Sequence, residues 1–516
     1  MEKINRKNYI FLLAFSIFAK LLNSLASPLF PEYCFQGDNV IFYLMGKELL
    51  NGKVLYKDLM DNKTPLIYFT NAIANLLSYK HIGLYIIEVI FMFITLVLVY
   101  KIIVLYTKNY RFNLVSCFIF GVFLNNSFIS LGMSKTESYF LPFSLALLYI
   151  LIKYLKNCDN DDNKELNYKE VIAMGAFGAI SFLYNQKAIF YFMPCYLIIL
   201  VKLICEKKYR YIVKYSLQMF LGVFITFIPF IMYVIATDSI DYAYFNIVKT
   251  AINYVGGSSS YTSNANVFSA MFNYMGKHIL FFMLVYISLF IVALREKNVY
   301  VKSLYFTSLV FNIYSVSSAR NNFVYYIVSL YPFVLPVLIL ISKIFEVKPN
   351  YVNKVKEEGV VKKYLSTVVI FVIMLLVNIP IGYTNVKNQY NTRAKLNNKF
   401  RTVLSKYYSD LNEIKILALA FNPEVYMSTN MKLDFPCFFT MNNTYERASY
   451  YYQQQLKYVR EEMADVVVIR PESTFIYFPI PMQEEIYNKL EESYERVEDI
   501  DSESNYGLYN IYKKKK

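Results

Sequence analysis

Long uninterrupted apolar runs, rather than the short amphipathic stripes of a soluble protein, dominate the order of apolar and polar positions along the 516-residue chain. A helix of roughly 17 to 25 apolar residues is long enough to cross the hydrocarbon layer of a membrane. Runs of this kind lie at 9–27, 82–106, 113–131, 138–155, 212–236, 278–294, 303–318, 323–345 and 364–383, with less uniform ones at 170–185 and 187–204. The pattern predicts an α-helical polytopic membrane protein of about eleven spans. Segments 39–50 and 65–79 are apolar but too short to span comfortably, and read as helices lying at the interface.

The connections set the orientation. Lysines and arginines cluster in alternate connections: Lys3, Arg6 and Lys7, then Lys108 and Arg111, then Lys153 and Lys156, then Lys207, Lys208 and Arg210, then Arg295 and Lys297, then Lys343 and Lys348. Basic loops stay at the cytoplasmic face, so the N-terminus is expected inside and, after an odd number of spans, the C-terminus outside. The basic start, apolar core and small residues near Ala26 and Ser27 also fit a cleaved signal peptide, although Lys20 and Asn23 interrupt the run. This orientation divides the chain into a transmembrane part, 1–383, and an extracytoplasmic soluble part, 384–516, and makes 28–81 the first outside loop. A second outside loop, 237–276, carries the stretch Gly256 to Ser260. The last segment has short β-prone runs at 414–421 and 466–469 and helical stretches near 449–458 and 483–494, as in a small α/β domain ending in a solvated Lys513 to Lys516 tail.

Composition agrees with a membrane protein and narrows the chemistry. Hydrophobic residues make up 56% of the chain and charged ones 18%, against about 25% in soluble proteins. The net charge of +15 is spread over short clusters between spans and forms no single basic segment, so no nucleic-acid partner is expected. With two His, six Cys and no CxxC or HExxH spacing, no metal site or cofactor is expected. Cys34 and Cys437 both fall outside, and spacing alone leaves their pairing open.

The first outside loop, FPEYCFQGDNVIFYLMGKELLNGKVLYKDLMDNKTPLIYF, places few polar residues between its two interfacial helices. Asp38 follows the first span, Tyr43 lies on the first interfacial helix, Gly52, Leu55, Tyr56 and Asp58 form one turn, and Asp61, Lys63, Pro65 and Tyr68 form the next. This arrangement resembles the membrane glycosyltransferases of the GT-C superfamily, in particular bacterial relatives of the dolichyl-phosphate-mannose protein mannosyltransferases and of the lipid A aminoarabinose transferase. Thr64 and Asn39 depart from that pattern, where a Pro and a Glu are common. Three further segments carry a weaker resemblance: SKTESYF with Glu137 as a second acidic position, YNQKAIFYFMP with Lys187, and ARNNFVYYIVSLYP with Arg320 and with Tyr325 where many members have His.

The resemblance implies a GT-C-like fold and transfer of a sugar from a polyprenyl-phosphate donor to a lipid, glycan or protein acceptor at the outer face, inverting and metal-independent. It implies Asp38 as catalytic base, Lys63, Lys187 and Arg320 as donor-phosphate ligands, and Glu137 as a second acid. The residues also have plainer readings: Asp38 as an N-cap, Lys63 as a snorkelling lysine, Asp58 and Asp61 as turn residues, and Glu137 as a helix cap. Glu88 lies inside the second span with no matching motif and reads as structural. A transporter or lipid flippase is the alternative class, but such proteins tend to show repeated halves and midplane ionisable residues.

Overall fold

The computed structural model describes residues 6–32, 34–35, 37–78, 81–130, 132–159, 164–250, 252, 267–318, 323–344, 372–373, 382–420, 423–429, 432–441, 445–471, 475–501 and 507–515. Helices occupy ten of the eleven predicted positions: α1 (Arg6–Asn23), α4 (Ile82–Val104), α5 (Tyr110–Leu124), α6 (Thr136–Cys158), α7 (Tyr168–Tyr184), α8 (Ile189–Cys205), α9 (Tyr209–Ala236), α11 (Ile279–Arg295), α12 (Val299–Ser318) and a 3-10 helix (Val324–Val334) continuing as α13 (Leu335–Ile344). The eleventh, 364–383, falls almost wholly outside the described residues, as do Gly256 to Ser260 and Arg320. By length and apolarity alone, six of the described helices can cross a membrane. A seventh is possible if α10 (Val267–Lys277) and α11, which meet at 101°, are one broken span.

The two short apolar segments are helical where the pattern placed helices, as α2 (Asp38–Leu50) and α3 (Leu66–Leu77). They pack backbone to backbone: a Cβ on Gly46 would lie 2.6 Å from Asn71 Cβ and 2.7 Å from Ala72 N. Between α7 and α9 the approach is equally close, since Cβ atoms on Gly175 and Gly222 would stand 2.1 Å from Met219 O and 2.0 Å from Ile172 O. Small residues at such crossings replace the hydrophobic drive that is missing between helices in lipid. The outer face of α9 leaves Leu217, Phe220, Phe224 and Met232 exposed, a surface that requires lipid contact.

After α14 (Thr384–Ser405) comes a four-stranded sheet of order β1-β2-β4-β3. β1 (Ile416–Leu419) and β2 (Val466–Ile469) are the parallel pair and are wholly buried, which is why the sequence displayed them as apolar runs. β3 (Tyr494–Asp501) and β4 (Leu508–Lys514) add antiparallel strands that the sequence reading did not anticipate. α15 (Tyr445–Arg460) and α16 (Ile480–Ser493) are the two expected helices. The lysine-rich end is therefore no free tail: Lys513 pairs with Glu495 and Lys514 with Glu462.

This part caps the first loop. Met60 N donates to Pro436 O at 3.0 Å, and Cys437 Sγ lies 3.5 Å from Met60 Sδ. Tyr451 on α15 donates to Asn246, and Phe245 packs on Tyr450 and Tyr451. Cys34 and Cys437 are both free and buried, with burial pushing the Cys34 thiol up to about 12.

Candidate active site

Gly37 takes φ 54° to turn the chain into α2, and Asp38 is the first helical residue. It is not the N-cap of the plainer reading: that position is Gly37, which has no side chain to cap the helix. The Asp38 carboxylate is half-buried. Its neighbour Asn39 donates to Ser134 O at 2.9 Å, which ties α2 to the segment leading into α6.

The following turn is held by Tyr56. This wholly buried residue adopts φ 68°, an uncommon and costly conformation for a bulky side chain. Its hydroxyl donates to the Lys63 carbonyl at 2.8 Å, its N–H bonds Leu59 O at 2.8 Å, and the neighbouring Leu55 N–H bonds the Tyr233 hydroxyl at 2.9 Å. Asp58 closes the turn by accepting from Val54 N–H at 2.8 Å, the turn role expected of it. Asp61 departs from that role. It is buried, accepts from the Tyr68 hydroxyl at 2.6 Å and from Asn62 N–H at 2.7 Å, and interacts electrostatically with Lys63 and Asp38. Burial pushes its carboxyl above the ordinary aspartate value even though Lys63 pulls the other way.

The second acidic position lies beside this loop. Glu137, in the first turn of α6, accepts from Thr136 Oγ1 at 3.1 Å and from Asn185 Nδ2 at 3.3 Å, and is within electrostatic reach of Lys63, Lys135 and Lys187. Lys187 follows Asn185 in a short 3-10 turn whose Gln186 donates to Asn62 O at 3.2 Å, which brings that turn to the first loop. The Lys187 ammonium is buried over the Tyr326 ring, 3.6 Å from its centroid, and has no hydrogen-bond partner among the described residues. Beside it a cavity of about 10 Å³, lined by Glu137, Asn312, Ser315 and Ser329, has room for one water and not for a phosphate. Lys187 and Glu137 both line this cavity and interact electrostatically.

Sequence reasoning missed Lys135. This buried residue occupies the N-cap of α6, where Ser, Thr, Asp or Asn is usual and where the helix dipole repels a cation. That mismatch was the available signal. Its ammonium lies over Tyr325 at 5.4 Å and interacts with Asp38, Glu137 and Lys63. Burial pushes it below the ordinary lysine value, although both acids draw it back up. Glu88 has the structural role expected of it: it accepts from Ser24 Oγ at 2.6 Å and Ser134 N–H at 3.0 Å and faces Lys20 at 3.7 Å, anchoring the segment that carries Lys135.

The fold thus gathers Asp38, Asp61 and Glu137 with Lys63, Lys135 and Lys187 from three separate parts of the chain. Such a set can accept a proton at one carboxylate and neutralise a departing anion at the ammonium groups. Among the described residues, no three His, Cys, Asp or Glu side chains form a metal-ligand group.

No protein-family model and no curated protein matches the sequence. Solved structures do match. ArnT from Cupriavidus metallidurans bound to undecaprenyl phosphate superposes with a TM-score of 0.61 at 10% identity, over 98% of this chain and 97% of that one. The same enzyme in the apo state gives 0.53 at 10% identity, over 98% and 96%. The Archaeoglobus fulgidus oligosaccharyltransferase tethered with an acceptor peptide gives 0.50 at 10% identity, over 99% and 74%. The fold is therefore the GT-C fold that the first loop resembled, and the chain is a multi-pass membrane protein.

Proposed function

We propose that this chain is an integral membrane glycosyltransferase that moves a sugar from a polyprenyl-phosphate carrier to an acceptor hydroxyl at the outer face of the membrane. The observation that carries the reading is the placement of Asp38 at the head of α2 and of Asp61 and Lys63 in the loop between α2 and α3, with Lys135 and Glu137 packed beside them. The reactive bond of a lipid-linked sugar lies at headgroup depth, where these helices hold the loop. The likeness of fold to a protein whose structure contains undecaprenyl phosphate supports the same donor class.

In this reading Asp38 accepts the proton of the acceptor hydroxyl as its oxygen attacks the anomeric carbon. The bond from that carbon to the phosphate oxygen breaks, and the lipid phosphate leaves with its full charge. Lys63 and Lys135 receive that charge where little water screens them, so the interaction strengthens as the bond breaks. Lys187 balances Glu137, and Arg320 is a further donor-phosphate candidate. A single displacement inverts the anomeric centre. The N-terminus lies in the cytoplasm, and 384–516 forms an extracytoplasmic domain over the site.

The test is incubation of the purified full chain with a panel of polyprenyl-phosphate sugars in the presence of lipid, glycan and peptide acceptors. Release of free polyprenyl phosphate from at least one donor is expected. No consumption of any donor, together with passage of the intact lipid across a vesicle membrane, would favour the transporter class instead.

A further inference from the structure

A cavity of about 500 Å³ lies between α6, α11, α12 and α13, far from the catalytic loop. On α6 its wall is Leu148 and Ile152, while Glu137 sits fifteen residues before Ile152; at about 1.5 Å per residue the cavity lies some 20 Å down the bundle. The lining is overwhelmingly aliphatic and aromatic, with Val301, Leu304, Phe333 and Ile339 among its residues.

The end away from the catalytic loop has a different character. Arg295 and Lys343, in the last turns of α11 and α13, border the cavity and are exposed. Two ammonium groups converge on the Tyr106 ring, Lys156 at 3.3 Å and Lys343 at 5.6 Å from its centroid. Glu296 is the acid at this rim, and it already accepts from Lys297 N–H at 3.0 Å and Asn298 N–H at 3.1 Å. Arg295, Lys343 and Lys156 against two acids, Glu296 and the Asp159 that acts on Lys156, leave an excess of positive charge at the mouth of an apolar slot between membrane helices. Basic pockets of this kind take anionic headgroups while the slot takes the chain.

We infer that this cavity is a binding site for an anionic glycerophospholipid of the leaflet opposite the catalytic loop, with an acyl chain between α6, α12 and α13 and the headgroup phosphate at Arg295 and Lys343. The site is separate from the transfer reaction, and its test does not depend on that reaction.

Delipidated full-length protein is titrated with phosphatidylglycerol and with phosphatidylcholine of identical chains, and bound lipid is counted by native mass spectrometry. Wild type should retain phosphatidylglycerol at lower concentration than phosphatidylcholine. Each cation removed should cut that preference about fivefold, so Arg295→Gln with Lys343→Gln should nearly abolish it. Both positions are exposed, so the double variant is expected to fold, and monodisperse elution verifies this. Ser308→Phe, which projects into the slot, should weaken both lipids alike. Equal retention of the two lipids by wild type, or an unchanged preference in the double variant, would overturn the assignment. So would displacement of phosphatidylglycerol by undecaprenyl phosphate, because the slot would then belong to a polyprenyl lipid.

Discussion

Tyr56 carries an unusual combination for one residue: a left-handed backbone, complete burial and a hydroxyl that fixes the Lys63 carbonyl. A strained conformation persists only where its surroundings over-determine it, and such residues gather at functional sites. Tyr56→Phe keeps the packing and removes the hydroxyl bond to the Lys63 carbonyl. Turnover is expected to fall roughly tenfold with little change in melting temperature, as for loss of one positioning hydrogen bond. Steady-state kinetics beside a thermal melt checks both halves. Asp61 gives a second prediction, with a sign set by linkage. Because its folded value is raised, its stabilising contribution is present below the ordinary aspartate value and lost as pH rises through the folded value. Above that folded value the charged, buried Asp61 is therefore a cost. Asp61→Asn should melt about 2 °C higher than wild type near pH 7.5, and this gain should vanish near pH 4. Lower activity in the same variant would show why the charge is kept. An unchanged melting temperature at both values would contradict the linkage.

At the scale of elements, the candidate catalytic groups depend on close helix crossings some distance from them. α7 ends at the Asn185 to Lys187 turn, and its position is set by the Gly175 and Gly222 crossing with α9. Gly222→Val would place side-chain carbon about 2.0 Å from Ile172 O, so the two helices must separate. A loss of roughly 1–3 kcal/mol is expected, read as earlier thermal aggregation, with activity falling in parallel as the Lys187 turn shifts. What the sequence disclosed at this scale follows from periodicity. Buried apolar elements announce themselves, as with the long apolar helices, α2 and α3, and the β1 and β2 pair. β3 reads YERVEDID, an edge strand in which only Tyr494 and Ile500 are buried among charged residues, and edges carry charge to block further pairing. β4 is an inner strand, and its lysines hid it, because they meet Glu495 and Glu462 only after the sheet forms. Asp38 and Lys63 were legible as candidates because one loop holds both. Lys135 was not, because its partners Asp38 and Tyr325 are brought to it by tertiary packing from opposite ends of the membrane part.

The whole molecule is a bundle whose two ends differ. At one end the first loop, the Glu137 and Lys187 turns and the sheet-bearing part come together through Met60 with Pro436 and Tyr451 with Asn246. At the other, the basic rim of Arg295, Lys343 and Lys156 fits the face where positive charge is retained. A periplasm-dependent reporter fused after Lys516 should be active, and one fused to the connection between α8 and α9 inactive; the reverse pattern would place the site on the cytoplasmic face. The central claim rests on Asp38, and the measurement that tests it most directly is single-turnover transfer by Asp38→Asn with the polyprenyl-phosphate donor that wild type consumes. Asparagine keeps the size and the place at the head of α2 but cannot take up a proton under these conditions. Transfer should slow by about two orders of magnitude or more, while the variant still binds the donor and melts within a degree or so of wild type. Near-normal transfer by Asp38→Asn would contradict the account, leaving Asp61 or Glu137 to act as base.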